Sequence, residues 1–178
     1  MAKKAVKKKS PRRPSPKKIG FVGVGRMGAN MARHLNDLNY NITAVFDIDR
    51  VAAKELAEEI GATACTKLAD VTKAADIIFT VVTNDAAMKR IFLRKKDSLL
   101  TAAAGKTFIN CATLSPDIQK TISTAARRRK AHCIEACMAS SISHARTGQL
   151  YLMVGADDAI FKRNKKLLEN LSVNLRHI

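Results

Sequence analysis

The chain has 178 residues, in which 32 Lys and Arg outnumber 15 Asp and Glu, so the formal net charge is +17. This length allows one domain, and a composition of 47% hydrophobic and 26% charged residues excludes a wholly disordered chain. Eight Gly and four Pro exclude a collagen-like or proline-rich repeat as the main architecture.

The first 18 residues differ in composition from the rest of the chain. They hold nine Lys and Arg, three Pro and two Ser, and they contain no acidic residue. Such a segment cannot bury enough apolar surface to offset the entropy lost on ordering it. We therefore predict a disordered basic arm over residues 1–18 and a folded domain over residues 19–178.

Hydrophobic periodicity predicts alternating strands and helices after the arm. In chain order we predict a strand at 18–23, a helix at 27–38, a strand at 41–46, a helix at 49–60, a helix at 67–74, a strand at 77–82 and a helix at 85–96. A strand at 107–110, a helix at 115–130, strands at 133–138 and 150–154, a helix at 157–171 and a strand at 173–177 follow. Strands separated by helices predict βαβ units, so the expected fold is α/β with a doubly wound, mainly parallel sheet.

A glycine-rich turn joins the first predicted strand to the first helix. The sequence G-V-G-R-M-G at 23–28 matches G-x-G-x-x-G, in which successive glycines permit a tight turn, close approach to a pyrophosphate and close packing of helix on strand. The N-terminus of the helix would face the phosphates with unpaired N–H groups. The candidate cofactor-binding residues of this loop are Gly23, Val24, Gly25, Arg26, Met27 and Gly28.

An acidic residue ends the second predicted strand, nineteen residues after Gly28. The carboxylate of this residue, Asp47, could accept hydrogen bonds from ribose hydroxyls and would repel a 2′-phosphate, which favours NAD over NADP. Arg50 lies nearby and could partly accommodate a phosphate, so NADP stays possible. A role for Asp47 as a helix N-cap is the alternative.

The segment at 20–32, G-F-V-G-V-G-R-M-G-A-N-M-A, resembles the G-F-I-G-x-G-x-M-G-x-x-M-A signature of the β-hydroxyacid dehydrogenases. This family includes 3-hydroxyisobutyrate dehydrogenase and tartronate semialdehyde reductase, and its cofactor domain is shared with 6-phosphogluconate dehydrogenase. The resemblance covers residues 18–178. It implies a Rossmann-type NAD(P)-binding domain of an oxidoreductase that transfers hydride between nicotinamide and a short hydroxy acid.

Two further segments resemble cofactor-contacting parts of the family. Residues 80–87 resemble the segment after the fourth strand that passes under the cofactor, which implies roles for Val82 and Thr83. Residues 108–116 resemble the family's I-D-x-S-T-x-x-P loop and place Thr113 where the family approaches the nicotinamide. The alternative is that Thr113 and Ser115 only start the next helix.

The substrate segment departs from the family pattern. Residues 135–155 resemble D-A-P-V-S-G-G-x-x-x-A-x-x-G-x-L-x-x-M-V-G, but Ala139 replaces the substrate-binding serine and Ser140-Ser141 replace the paired glycines. We expect the hydroxyl of Ser140 or Ser141 to bind a substrate carboxylate in place of the missing serine.

The family's general acid is a lysine in a G-x-G-x-x-x-K-x-x-x-N setting on the helix after the cofactor domain. The 178 residues contain no such motif, so we assign no catalytic residue and expect the fold to lack the family's C-terminal all-α domain. One hypothesis is a cofactor domain that is incomplete without a catalytic-lysine domain. The alternative is a catalytically silent dinucleotide-binding module tethered to nucleic acid by its arm.

The arm itself supports two interpretations. The units S-P-R-R and S-P-K-K at 10–13 and 15–18 resemble those of histone-type tails, and nine cations could give salt-dependent, non-specific binding to nucleic acid. A solubilising extension is the other interpretation. Charge composition alone does not choose between them.

Cysteine content and hydropathy bear on location and metals. Four cysteines, no secretory signal pattern and no run of 18 apolar residues predict a cytoplasmic protein with reduced thiols and no membrane span. Cys133 and Cys137 lie near His132 and His144, but a single Cys-x₃-Cys spacing is a weak zinc pattern, so we predict no metal. The sequence predicts no particular oligomeric state.

Overall fold

The computed structural model describes residues 17–178, so residues 1–16 of the predicted basic arm lie outside the described residues. Lys18, which we assigned to the end of the arm, is the first residue of the first strand. Its backbone N–H donates to Asp76 Oδ2 at 3.0 Å. The ordered sheet therefore begins one residue earlier than residue 19.

The described residues form eight strands and seven helices. In chain order they are β1 (Lys18–Val22), α1 (Arg26–Asp37), β2 (Asn41–Phe46), α2 (Arg50–Ile60), β3 (Thr63–Ala64), α3 (Leu68–Ala74), β4 (Ile77–Thr80) and α4 (Asp85–Leu93). They continue with β5 (Thr107–Asn110), α5 (Pro116–Arg128), β6 (His132–Met138), α6 (Ile142–Thr147), β7 (Leu150–Gly155), α7 (Asp158–Leu171) and β8 (Ser172–His177).

All eight strands belong to one sheet in the order β3-β2-β1-β4-β5-β6-β7-β8. Every neighbouring pair is parallel except β6 and β7, which are antiparallel. The chain leaves β1 toward β2 on one side and returns to β4 on the other. Ligands of such sheets bind at the carboxyl ends of the strands where the order reverses, so the fold places a crevice beyond β1 and β4.

Helices cover both faces of the sheet, as the doubly wound prediction requires. Helices α1, α2, α6 and α7 pack with one apolar cluster, in which Phe21 and Phe79 stack at 4.9 Å between β1 and β4. Helices α3, α4 and α5 pack with the second cluster, in which Phe92 meets Phe108 edge to face at 5.0 Å. Central strands buried on both faces explain the continuous apolar runs in the sequence.

Several element predictions were wrong in detail. The sequence predicted neither β3, which has two residues, nor α6, which has six. Helix α4 ends at Leu93 rather than near residue 96, because the chain turns so that the Asp97 carboxylate accepts the N–H groups of Leu68 and Ala69 at 3.0 Å each. Strand β4 ends at Thr80, two residues before the predicted end.

Candidate functional site

Two glycines of the loop between β1 and α1 are required by close backbone contacts. Gly23 has φ of +88°, a conformation that disfavours residues with a side chain, and a Cβ there would collide with the Val81 carbonyl. A Cβ on Gly28 would collide with the carbonyl of Gly23. The predicted tight turn and close helix packing are therefore both present.

Gly25 meets a different requirement. It is the N-cap of α1 without a side-chain capping bond, and a Cβ built on it meets no atom within 4 Å. The surrounding protein therefore does not need glycine at this position. The open space lies at the N-terminus of α1, where unpaired N–H groups and the helix dipole favour an anion. These features fit a pyrophosphate that approaches the main chain.

The Asp47 carboxylate links the end of β2 to the glycine loop. Its Oδ2 accepts the Val24 N–H at 2.7 Å, and its Oδ1 accepts the Asp49 N–H at 2.9 Å. The N-cap of α2 is Asp49, whose side chain accepts the N–H groups of Val51 and Ala52. The alternative assignment of Asp47 as a helix cap is therefore wrong.

The Arg50 side chain makes contacts within the protein that do not favour phosphate binding. Its guanidinium donates to the carbonyl oxygens of Cys65 at 3.1 Å and Thr66 at 3.0 Å. The same group lies 4.6 Å from the centre of the Phe46 ring. These contacts use one N–H of each terminal nitrogen and hold the guanidinium against the loop after β3, so the geometry does not favour the expectation that Arg50 accommodates a 2′-phosphate.

A crevice of about 250 Å³ unites the glycine loop with the ends of β2 and β4. Of the predicted cofactor-binding residues, its lining includes Gly23, Gly25, Asp47, Val82 and Thr83. Sequence reasoning missed the other seven lining residues, which are Val22, Phe46, Ile48, Val81, Ala87, Arg90 and Ile91. Three of these lie on α4, and only the position of α4 beside the crevice reveals their place. Of the remaining loop residues, Arg26, Met27 and Gly28 begin α1, and Val24 lies in the loop before the N-cap.

A second loop carries Thr113, which is exposed between β5 and α5 and does not line the crevice. Asp85 holds this loop to the start of α4, because its carboxylate accepts the Ser115 N–H at 3.1 Å and the Ser115 hydroxyl at 2.5 Å. These two hydrogen bonds lower the pKa of Asp85. Ser115 is the N-cap of α5 and Pro116 follows it, so the helix-start interpretation applies to Ser115 and not to Thr113.

The two serines of the β6–α6 loop differ in availability. The Ser140 hydroxyl donates to the Ala139 carbonyl at 2.6 Å and accepts the Tyr151 N–H at 2.8 Å. Ser141 is exposed and caps α6, with its Oγ 2.8 Å from Ser143 Oγ and 3.1 Å from His144 Nδ1. Ser140 therefore serves the loop itself, and Ser141 is the more accessible hydroxyl.

The cysteines are free thiols in unreactive surroundings. Burial raises the pKa of Cys111, raises that of Cys133 to about 12 and, together with Glu135, raises the pKa of Cys137 to about 11. Within residues 17–178, no group of three or more His, Cys, Asp or Glu side chains is placed to hold a metal ion. The helices of this part of the chain are all too short or too polar to cross a membrane.

Comparison with known proteins bears on this crevice. The sequence model of a family described as the NAD binding domain of 6-phosphogluconate dehydrogenase matches residues 18–178. The mitochondrial 3-hydroxyisobutyrate dehydrogenase of Drosophila melanogaster is 32% identical over 163 residues, which are 90% of this chain and 48% of that protein. The 2-hydroxy-3-oxopropionate reductase of Escherichia coli K12 is 30% identical over 158 residues, which are 89% of this chain and 53% of that protein.

A solved structure shows the same fold. Mycobacterium tuberculosis 3-hydroxyisobutyrate dehydrogenase, determined with L-serine, superposes with a TM-score of 0.82 at 23% identity, over 90% of this chain and 54% of that one. The chain thus spans about half the length of the curated relatives it matches. None of these descriptions mentions a nucleic acid, so the nucleic-acid alternative receives no support from the comparisons.

Proposed function

The chain belongs to the family of the NAD binding domain of 6-phosphogluconate dehydrogenase, and from this premise we propose that its glycine-loop crevice binds NAD in preference to NADP. The pyrophosphate would lie against the main chain at Gly25 and the N-terminus of α1. The adenosine end would enter the crevice between the ends of β2 and β4.

The single observation that carries the preference is the position of the Asp47 carboxylate. Each oxygen accepts one backbone N–H, from Val24 or from Asp49. A carboxylate has about four acceptor positions, so acceptors remain for the two ribose hydroxyls. Its charge opposes a 2′-phosphate, and the Arg50 guanidinium, which could have bound that phosphate, is held by two carbonyl oxygens instead.

The proposed activity of the complete protein is oxidoreduction of a short hydroxy acid. When bound, NAD supplies the hydride acceptor, and NADH the hydride donor, for such a reaction. Within this chain, Thr113 would approach the nicotinamide and the Ser141 hydroxyl would bind a substrate carboxylate. The proton donor would come from a lysine of the kind that the family carries beyond its cofactor domain, because carbonyl reduction needs a positioned acid.

Titration with NADH and NADPH, followed by nicotinamide fluorescence, tests the cofactor preference. We expect NADH to bind at least about tenfold more tightly than NADPH. The Asp47→Asn variant retains an oxygen for the Val24 N–H but loses the charge. It should therefore reduce the ratio of the NADPH and NADH dissociation constants several-fold. Unchanged emission at millimolar NADH, or equal affinities in the parent chain, would contradict the proposal.

The cellular setting is part of the same proposal. Four free cysteines support a reducing, cytoplasmic environment, as expected from the sequence.

A further inference from the structure

The amino ends of four neighbouring strands form one continuous edge of the sheet, opposite the crevice. The Asp76 N–H donates to the Lys18 carbonyl at 2.8 Å, and the Thr107 N–H donates to the Asp76 carbonyl at 3.0 Å. The His132 N–H donates to the Lys106 carbonyl at 2.8 Å. Neighbouring strands lie about 4.8 Å apart, so β1 and β6 begin about 15 Å from one another.

Cations concentrate at this edge, which we call the basic edge. Its members are Lys17, Lys18, Lys106, Arg127, Arg128, Arg129 and Lys130. All are exposed except Lys106, which is half-buried and pairs with Asp76 at 3.3 Å. The four consecutive cations from Arg127 to Lys130 end α5 and lead into β6, and no described hydrogen bond or ion pair engages their side chains.

The basic edge contains a concavity rather than a flat field of charge. A cavity of about 360 Å³ is lined by Arg127, Lys130 and His132, and Asp157 is the only acidic residue in its lining. Two cations and an imidazole can therefore converge on one anionic group. Arginine suits such a group because its planar guanidinium binds phosphate oxygens in a bidentate manner.

The sequence continues this charge beyond the described residues. Seven cations and no acid lie in residues 1–16, which join the fold at Lys17 and so at the basic edge. Residues 17–178 retain a net charge of +10. Clustered Lys and Arg on one face of a strongly basic domain are the electrostatic footprint of a nucleic-acid-binding surface.

We propose that the basic edge binds the phosphate backbone of nucleic acid without sequence preference, with Arg127 and Lys130 at its centre. Binding is electrostatic and salt-dependent, because each phosphate contact releases condensed counterions. The basic edge and the glycine loop lie at opposite ends of β1, so the surface stays open while the crevice is filled. This inference does not depend on the proposed cofactor preference.

An anionic membrane is the competing partner for a basic surface. Stable attachment to a membrane combines basic residues with an inserted apolar group or a lipid anchor. The large apolar side chains that are exposed in the described residues are Ile48, Val51, Leu93, Val173 and Ile178, and none is a member of the basic edge. Nucleic acid, which needs only phosphate contacts, therefore fits this surface better.

The test measures fluorescence anisotropy of a labelled 20-base-pair DNA duplex titrated with the full chain at several salt concentrations. The edge variant combines R127Q, R128Q and R129Q. The matched control combines R94Q, K95Q and K96Q, three consecutive exposed cations after α4. Both variants lower the net charge by three, and NADH binding with thermal unfolding shows that each is folded. A second edge variant, Lys17→Gln with Lys18→Gln, covers the case in which the first does not fold.

We expect the parent chain to bind the duplex and the edge variant to bind at least about tenfold more weakly at low salt, with a salt slope shallower by about 2 to 3. The control should stay within about twofold of the parent, and saturating NADH should leave the affinity for DNA unchanged. If the edge variant and the control lost affinity for DNA equally, net charge alone would explain the effect and the proposal would be overturned. So would a parent chain that fails to bind DNA, or one that binds phosphatidylserine vesicles more tightly than DNA.

Discussion

At the scale of single residues, Gly23 and Gly25 predict opposite effects of an added side chain. Gly23→Ala places a Cβ against the Val81 carbonyl at a φ of +88°. We expect it to lower stability by more than about 2 kcal/mol, because strained φ and a backbone clash add. In a domain of this size that is a fall of about 5 °C or more in Tm, measurable by circular dichroism.

Gly25→Ala should lower Tm by no more than about 3 °C, since its Cβ meets no atom within 4 Å and only the N-cap preference for glycine is lost. It should weaken NADH binding at least about tenfold, because the side chain would occupy the space beside the proposed pyrophosphate. Parallel melting and NADH titrations of the two variants separate folding from binding. A Gly25→Ala chain that binds NADH like the parent would show that the cofactor does not approach this loop.

At the scale of elements, a glycine allows α6 to pack closely against its neighbours. Gly148 ends α6 with φ of +68°, and a Cβ there would collide with the His34 ring of α1. His34 Nε2 in turn lies 2.8 Å from the Asn170 carbonyl of α7. One small residue thus permits three helices to meet.

Gly148→Ala and Gly61→Ala form a matched pair that measures this contact. Gly61 ends α2 with φ of +71°, but its Cβ would meet no atom within 4 Å. Both variants carry the cost of positive φ, about 1 kcal/mol, and only Gly148→Ala adds a clash costing about 1 to 3 kcal/mol. Denaturant unfolding should show that difference. Equal losses in the two variants would mean that both the His34 ring and the Asn170 carbonyl, which the added Cβ would also meet, move aside without cost.

Elements with a marked local pattern were predictable from the sequence, and elements too short to show the period of their own type were not. The runs that became β2 and β5 were assigned to the residue, because short stretches rich in β-branched and aromatic residues favour strands. Two residues of β3 and six of α6 are too short to show a period. The reversed direction of β7 was equally hidden, since periodicity carries no information on strand direction.

The candidate site also has residues that the sequence predicted and residues that it did not. The glycine loop and Asp47 were predictable because their spacing is fixed within one βαβ unit. Arg90 and the bond between Asp85 and Ser115 depend on how separate units pack, so no local pattern marks them. Arg50 lies close to Asp47 in the sequence, but this proximity did not predict its partners, which are carbonyl groups of the loop after β3.

At the scale of the whole molecule, ion pairs and hydrogen bonds predict how stability depends on pH. The Lys18 N–H lowers the pKa of Asp76, the Arg33 guanidinium lowers that of Glu59 and the Ser115 hydroxyl lowers that of Asp85. A carboxyl with a lower pKa in the folded state stabilises the fold above its ordinary pKa of about 4, and this stabilisation is lost as the pH falls.

We therefore expect Tm to vary little between about pH 8 and pH 5 and to fall as the pH is lowered below about 4. Melting curves across this range provide the measurement. In the Glu59→Gln variant the acid-induced fall should be smaller, because the bonds from Arg33 at 2.7 to 2.9 Å no longer involve a titrating group. A parent chain whose Tm rises on acidification would contradict the prediction.

The shared duties of Asp47 constrain any redesign of the crevice. Exchange of this carboxylate for a basic side chain, made so that the crevice accepts a phosphorylated ribose, would also remove the acceptor that fixes the Val24 amide at 2.7 Å. A substitution of Asp47 therefore changes both the cofactor selectivity and the rigidity of the glycine loop. A converted enzyme would need a compensating substitution that restrains the loop, and Arg50 would first have to be released from its two carbonyl partners.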